Sequence, residues 1–297
     1  MRAFLGELID HAPLFPPARL PMSDALAAHE RAEAGPYFWI LGRFMVGASR
    51  LSELIAALER DDAPGPLPIG VVLDGEPEHD FPVLAGLAER HAARVEIETV
   101  EARAPLESLV DAYEAAALAS EPELYVEMDL TEPIALESSL LALSRYREAS
   151  ERYVGAKVRC GGASADAVPT PANLANFVAL AHALGVPFKA TAGLHHPVRG
   201  FNAEAGFVQH GFLNLAGAAV LTRAHELDRL ALESLIADED PAHFKLDGDR
   251  FSWCGVSAHA GEIGAARMRS LRSYGSCSFS EPIEDLTALG ILGGAPQ

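Results

Sequence analysis

Short apolar runs alternate along the chain with longer stretches whose apolar positions recur at helical spacing. The runs read as strands at 37–46 (YFWILGRFMV), 68–73 (PIGVVL), 94–100 (RVEIETV), 124–130 (LYVEMDL), 154–160 (VGAKVRC) and 186–192 (VPFKATA). Amphipathic stretches at 50–58, 105–118, 133–153 and 173–184 lie between them. Ser49, Pro105, Thr131-Glu132-Pro133 and Thr170-Pro171 supply helix-start signals. A short helix near 22–34 follows a Pro-rich N-terminal segment. Past residue 200 the pattern is less regular, with a long apolar helix at 206–221 and a second helix at 225–236. The Asp-Gly turn signal within 243–255 predicts a hairpin or a seventh strand. A helix at 262–272 and a last strand with its closing helix over 274–292 complete the chain. Strands alternating with helices of this length imply βαβ units on a parallel sheet. The predicted class is α/β, a TIM-like (β/α)8 barrel with irregular last two units, and residues 1–297 read as a single barrel domain with a Pro-rich N-terminal segment.

Composition narrows the partners. The 297 residues are 49% hydrophobic and 22% charged, with a formal net charge of −19. That charge disfavours nucleic acid and anionic membrane surfaces, both of which are bound through Lys and Arg. No apolar run approaches the ~20 residues that span a bilayer. The N-terminus lacks the apolar core and cleavage pattern of a secretory signal, so a cytoplasmic location is expected. Cys160, Cys254 and Cys277 form no CxxC pair and read as reduced thiols. The oligomeric state is left open between monomer and homo-oligomer.

Only three of the 23 basic residues are lysines: Lys157, Lys189 and Lys245. Two of them fall in strands that read as buried, where a long cation is rare unless paired or functional. Residues two apart on a strand share a face. Lys157 therefore sides with Arg159, Lys189 with Thr191, and Glu127 with Asp129, while Arg43 interrupts the apolar run at 37–46. Barrel enzymes place their chemistry where such faces meet the C-terminal strand ends. After the strand at 186–192, Gly193 permits a sharp turn and His195, His196 and Arg199 follow. Either histidine suits general acid–base work. His210 and Asn214, four apart on the next predicted helix, are further candidates for the same mouth. Glu127 and Asp129, with Asp74 and Glu281 as other acidic candidates, could hold a divalent ion through oxygen ligands. The chain has no GxGxxG, P-loop, HExxH or GxSxG motif, so no cofactor is called for by a motif.

The segments IDHAPLFPPARLPM (9–22), LGRFMVGASRL (41–51), AKVRCGG (156–162), KATAGLHHPVR (189–199), HGFLN (210–214) and YGSCSFSEP (274–282) resemble, as a set, a widespread family of bacterial (β/α)-barrel-like proteins. The resemblance spans almost the whole chain and implies the barrel without implying a particular activity. KATAG and AKVRCGG are also similar to the two lysine strands of class I aldolases of the deoxyribose-phosphate type, but stand in the opposite chain order. That likeness is chemical, and it points to a Schiff-base lysine. The expected function is an enzyme of lyase, aldolase or isomerase type acting on a small anionic carbonyl metabolite. Lys189 would form the Schiff base or stabilise an enolate. Lys157, His195, His196 and Glu127 would assist, with Arg43, Arg159, Thr191, Arg199, His210 and Asn214 around the substrate. A metal-dependent, enolase-like lyase using Glu127 and Asp129, and a non-catalytic ligand-binding barrel, are the alternatives.

Overall fold

The computed structural model describes residues 1–59, 65–118, 120–150 and 152–293. Eight parallel strands close into a barrel: β1 (Ile9–His11), β2 (Leu41–Gly47), β3 (Leu67–Val72), β4 (Val95–Ala102), β5 (Glu123–Glu127), β6 (Val154–Arg159), β7 (Phe188–Thr191) and, much later in the chain, the strand at Leu271–Ser276. That last strand lies between β7 and β1 and completes the ring. The helices α1 (Arg2–Leu5), α2 (Met22–Glu33), α3 (Leu51–Leu58), α4 (Pro77–His91), α5 (Leu106–Ala116), α6 (Pro133–Ala149) and α7 (Pro171–Ala183) follow in chain order. Glu151, within the helix predicted over 133–153, lies outside the described residues.

The first barrel strand is β1, inside the Pro-rich segment, and the run at 37–46 supplies the second. That run breaks at Leu41, because Phe38–Ile40 form a 3-10 turn before β2 begins. The excursion between β7 and the last barrel strand holds more than helices. A hairpin of β8 (Gly200–Asn202) and β9 (Phe207–Gln209) precedes α8 (Phe212–His225) and α9 (Arg229–Ala237). The long apolar helix predicted from 206 thus starts only at Phe212. Residues 244–259 fold as an antiparallel sheet of β10 (Phe244–Asp247), β11 (Arg250–Trp253) and β12 (Val256–His259), separate from the barrel. A hairpin was the right alternative for this segment, and a seventh barrel strand was not. Then come α10 (Ala260–Arg269), β13 (Leu271–Ser276) and α11 (Ser280–Ala288).

Strand parity sorts the side chains. On β6, Val154, Ala156 and Val158 are fully buried against the helix layer, while Lys157 and Arg159 take the inward parity. Inward glycines make room for large neighbours. A Cβ on Gly42 would stand 2.5 Å from the Asp10 carboxylate, and one on Gly155 would stand 2.7 Å from the Tyr125 ring. After β6 and β7 the chain passes Gly161 and Gly193 in backbone contact, where a Cβ on either would meet the other's Cα at 2.9 Å. Gly193 also has φ +69°, a conformation costly for any residue with a side chain. Among the described residues no helix is long and apolar enough to cross a membrane.

On the outer side of β1, His11 stacks on His29 of α2, with Phe44 edge-on to both. Their Nδ1 atoms are 3.2 Å apart. Burial pushes His11 down to about 4; burial and then the neighbouring His11 push His29 down to about 3. The native state therefore holds both rings neutral, whereas the unfolded chain protonates them below about 6.5. Between those values the unfolded state binds more protons, so stability falls as pH drops from about 6.5 towards 4. Urea-unfolding midpoints measured across that window should show the loss, and His29→Gln should flatten it.

Candidate active site

Seven side chains inside the barrel form one chain of alternating charge. At the N-terminal end, Glu98 Oε2 lies 2.7 Å from Arg43 Nε. Glu98 reaches inward because the pairing of β3 with β4 slips between Ile97 and Thr99, leaving it as the extra residue. The Arg43 guanidinium lies 3.6 Å from Asp10 Oδ1, and the Arg43 backbone N–H donates to the same oxygen at 3.0 Å. Asp10 Oδ2 accepts from Ser273 at 2.6 Å and lies 2.8 Å from Lys189 Nζ. Lys189 Nζ also lies 2.6 Å from Glu101 Oε1. The second oxygen of Glu101 is 2.9 Å from Lys157 Nζ, and Lys157 is 3.4 Å from Glu127. The sequence runs Glu98, Arg43, Asp10, Lys189, Glu101, Lys157, Glu127, with opposite signs at every step.

Alternation makes this burial tolerable. An isolated charge here would face a desolvation cost of several kcal/mol, which only close opposite charges and full hydrogen bonding offset. Asp10 and Lys189 are 0% and 1% exposed. Burial alone would raise the Asp10 and Glu101 carboxyls, but their lysine and arginine neighbours outweigh it and hold both below the ordinary carboxylate range. Burial likewise works to lower Lys189, yet Asp10 and Glu101 outweigh it and hold the ammonium above its ordinary value. Tyr125 presents its ring 5.4 Å from Lys189 Nζ. Its hydroxyl donates to Glu123 at 2.6 Å, and Arg272 donates to that same carboxylate at 3.1 Å.

The C-terminal end of the chain differs from its middle. Glu127 is partly exposed, and Thr191, in register with Arg159, is half-buried. Arg159, two residues beyond Lys157 on the same face, is exposed and has no ion-pair partner among the described residues. Arg103, the residue after β4, is likewise exposed, and its charge adds to the Thr131 hydrogen bonds in holding the Asp129 carboxyl below its ordinary value. The end of β6 thus carries an exposed guanidinium that has no ion pair among the described residues.

Other predicted residues stand elsewhere. Asp129 does not join Glu127; it is exposed, and its Oδ1 accepts from the Thr131 backbone at 2.8 Å and hydroxyl at 2.7 Å, closing its own turn. Among the described residues, no three-ligand cluster includes Glu127 or Asp129. Arg199 pairs with Glu239, and its backbone N–H donates to Asn214 Oδ1 at 2.9 Å. Asn214 donates in turn to the Leu235 and Asp238 carbonyls, each at 2.8 Å, so it ties α8 to the end of α9. His210 binds the Pro169 carbonyl at 2.7 Å. His195 and His196 both reach α11: His195 Nδ1 lies 3.2 Å from Glu281, and His196 Nδ1 lies 2.7 Å from Asp285. Asp74 accepts from the Ser49 hydroxyl at 2.6 Å and serves the loop after β2.

Sequence reasoning missed Asp10, Glu98, Glu101, Arg103 and Ser273. Only the period-two placement of Glu101 and Arg103 at the end of an apolar run signalled two of them. Compared with known proteins, the chain matches no protein-family model and none of the curated proteins.

Removing Lys189 alone should strand Asp10 and Glu101. Lys189→Met is expected to cost about 3–5 kcal/mol in chemical denaturation. Adding Asp10→Asn should cost less than the sum of the two single changes, because the pair leaves together.

Proposed function

We propose that the chain is a barrel enzyme of lyase or isomerase type that acts on a small anionic metabolite bearing a carbonyl group. The observation that carries this reading is the open end of the ion chain: the partly exposed Glu127 lies 3.4 Å from the buried Lys157, two residues before the exposed and unpaired Arg159 on β6. A lattice serving stability alone gains nothing from free cations at its rim, whereas a guanidinium fork suits a carboxylate or phosphate. In this reading Arg159, with Arg103, holds the anionic group at the mouth. The Lys157 ammonium stabilises negative charge developing on the carbonyl oxygen. Glu127 takes and returns the proton on the adjacent carbon.

Lys189 is assigned the enolate-stabilising side of its expected role, acting through Glu101 as a positioning residue. A Schiff base there would first require its ammonium to lose a proton, and two carboxylates within 2.8 Å oppose that. His195 and His196 position α11 in this account. A divalent ion would have to displace Lys157 from Glu127 and find its other ligands beyond Asp129, so metal-assisted chemistry is the weaker reading at this place. A second reading, favoured by the complete pairing of the inner charges, is a non-catalytic ligand-binding barrel.

Hydrogen–deuterium exchange at the carbon next to the carbonyl tests the first reading without knowledge of the product. A panel of 2-oxo acids and sugar phosphates in D2O, followed by NMR, should reveal at least one compound exchanged by the wild-type protein. Glu127→Gln should slow that exchange by about 100-fold or more. Arg159→Gln should mainly weaken binding, seen as a smaller ligand-induced rise in Tm. Binding without exchange would favour the ligand-binding barrel, and neither binding nor exchange would remove both readings.

A further inference from the structure

Far from the mouth in the chain's order, the end of α9 and the turn between β11 and β12 bring together Asp238, His243 and Cys254. One ligand atom from each lies within 4.8 Å of the other two. His243 Nδ1 is 2.8 Å from Asp238 Oδ2, and its Nε2 is 3.5 Å from Asp240. The Trp253 indole N–H donates to Asp238 Oδ2 at 2.7 Å, and the Asp240 backbone N–H donates to Asp238 Oδ1 at 2.9 Å. These two donors hold the carboxylate in place, as outer partners orient ligating carboxylates in metal sites.

Cys254 arrives by an unusual backbone. It has φ +46° and precedes Gly255 at φ +86°, so the β11–β12 turn needs two residues in the left-handed region. Asn-Gly or Asp-Gly ordinarily meet that need, and a cysteine there costs backbone energy that an asparagine would largely avoid. The turn is anchored, since the Cys254 N–H donates to the His243 carbonyl at 3.3 Å. The strained residue is thereby fixed next to the histidine, and both are exposed.

We infer that Asp238, His243 and Cys254 form a surface site for a borderline transition-metal ion of the zinc type. One imidazole, one thiolate and one carboxylate are the donor types such ions take, and water or Asp240 can complete the shell. Hard ions such as Mg²⁺ or Ca²⁺ are poorly served by sulfur. On binding, the thiol proton of Cys254 goes to solvent and the sulfur bonds the metal. The site also touches the barrel: the Asp238 carbonyl accepts from Asn214, whose Oδ1 accepts from the backbone of Arg199. Metal at Asp238 would stiffen the link between α9 and the loop that follows β7.

Cobalt(II) substitution tests this on the full-length protein after chelator treatment. Adding Co²⁺ should give a thiolate-to-cobalt charge-transfer band at one equivalent, displaced by Zn²⁺, and Zn²⁺ should raise the Tm. Cys254→Ser should abolish the band, and His243→Ala should weaken Zn²⁺ binding at least 10-fold. Cys254 and His243 are exposed, so both variants should melt near the wild-type metal-free temperature. Cys277→Ser is the control, because Cys277 Sγ lies 3.9 Å from His195 Nδ1 and offers a competing thiol. A band that survives Cys254→Ser, follows Cys277→Ser, or never forms in the wild-type protein would overturn the assignment.

Discussion

Every feature of the barrel interior depends on the alternation of charge from Glu98 to Glu127. Four carboxylates and three cations stand in one line, and each inner charge touches two of opposite sign. Such a line is stable only as a whole, because removing one member leaves its neighbours desolvated and unpaired. It also carries a surplus of one carboxylate, and its two ends, Glu98 and Glu127, are both partly exposed. At the C-terminal end Arg159, exposed and without an ion pair among the described residues, follows Lys157 by two residues on β6. The polarity of the mouth therefore follows from how the interior charges are satisfied.

The backbone was shaped to admit this line. Gly42 leaves space for the Asp10 carboxylate and Gly155 for the Tyr125 ring. The slipped register of β4 turns Glu98 inward. Ser273 arrives on the last barrel strand to bond Asp10, so β13 closes the ring chemically as well as geometrically. The long excursion before it, including the sheet of β10–β12, covers ground outside the barrel and contributes the Asp238, His243 and Cys254 cluster.

Much of this was legible in the sequence, and the failures have physical causes. The apolar runs holding Lys157 and Lys189 were long enough for their parity to be read, and the scarcity of lysine marked both as special. β1 has only the three residues Ile9–His11, too few to establish a period, so it was lost in its proline-rich surroundings. Asp10 was lost with it. In a chain with 42 acidic residues no single carboxylate stands out, so the partners of the lysines were mostly invisible. Arg199, His210 and Asn214 were placed at the mouth because they follow β7 closely in sequence. They are instead committed to other partners: Arg199 pairs with Glu239, and the buried His210 and Asn214 bind backbone groups. Asp129 failed for a related reason: β5 ends at Glu127, so strand parity no longer governs the next residues.

The three lysines make one measurement unusually direct. NMR of protein labelled with ¹⁵N at lysine Nζ would give one signal each for Lys157, Lys189 and Lys245, assigned by substitution. Lys157 and Lys189 should appear as ammonium groups with slow proton exchange, and Lys189 should remain protonated to a pH above the ordinary lysine value, while exposed Lys245 exchanges rapidly. A neutral-amine shift for Lys189 near neutral pH would contradict the alternating ion chain and return that residue to the role of nucleophile.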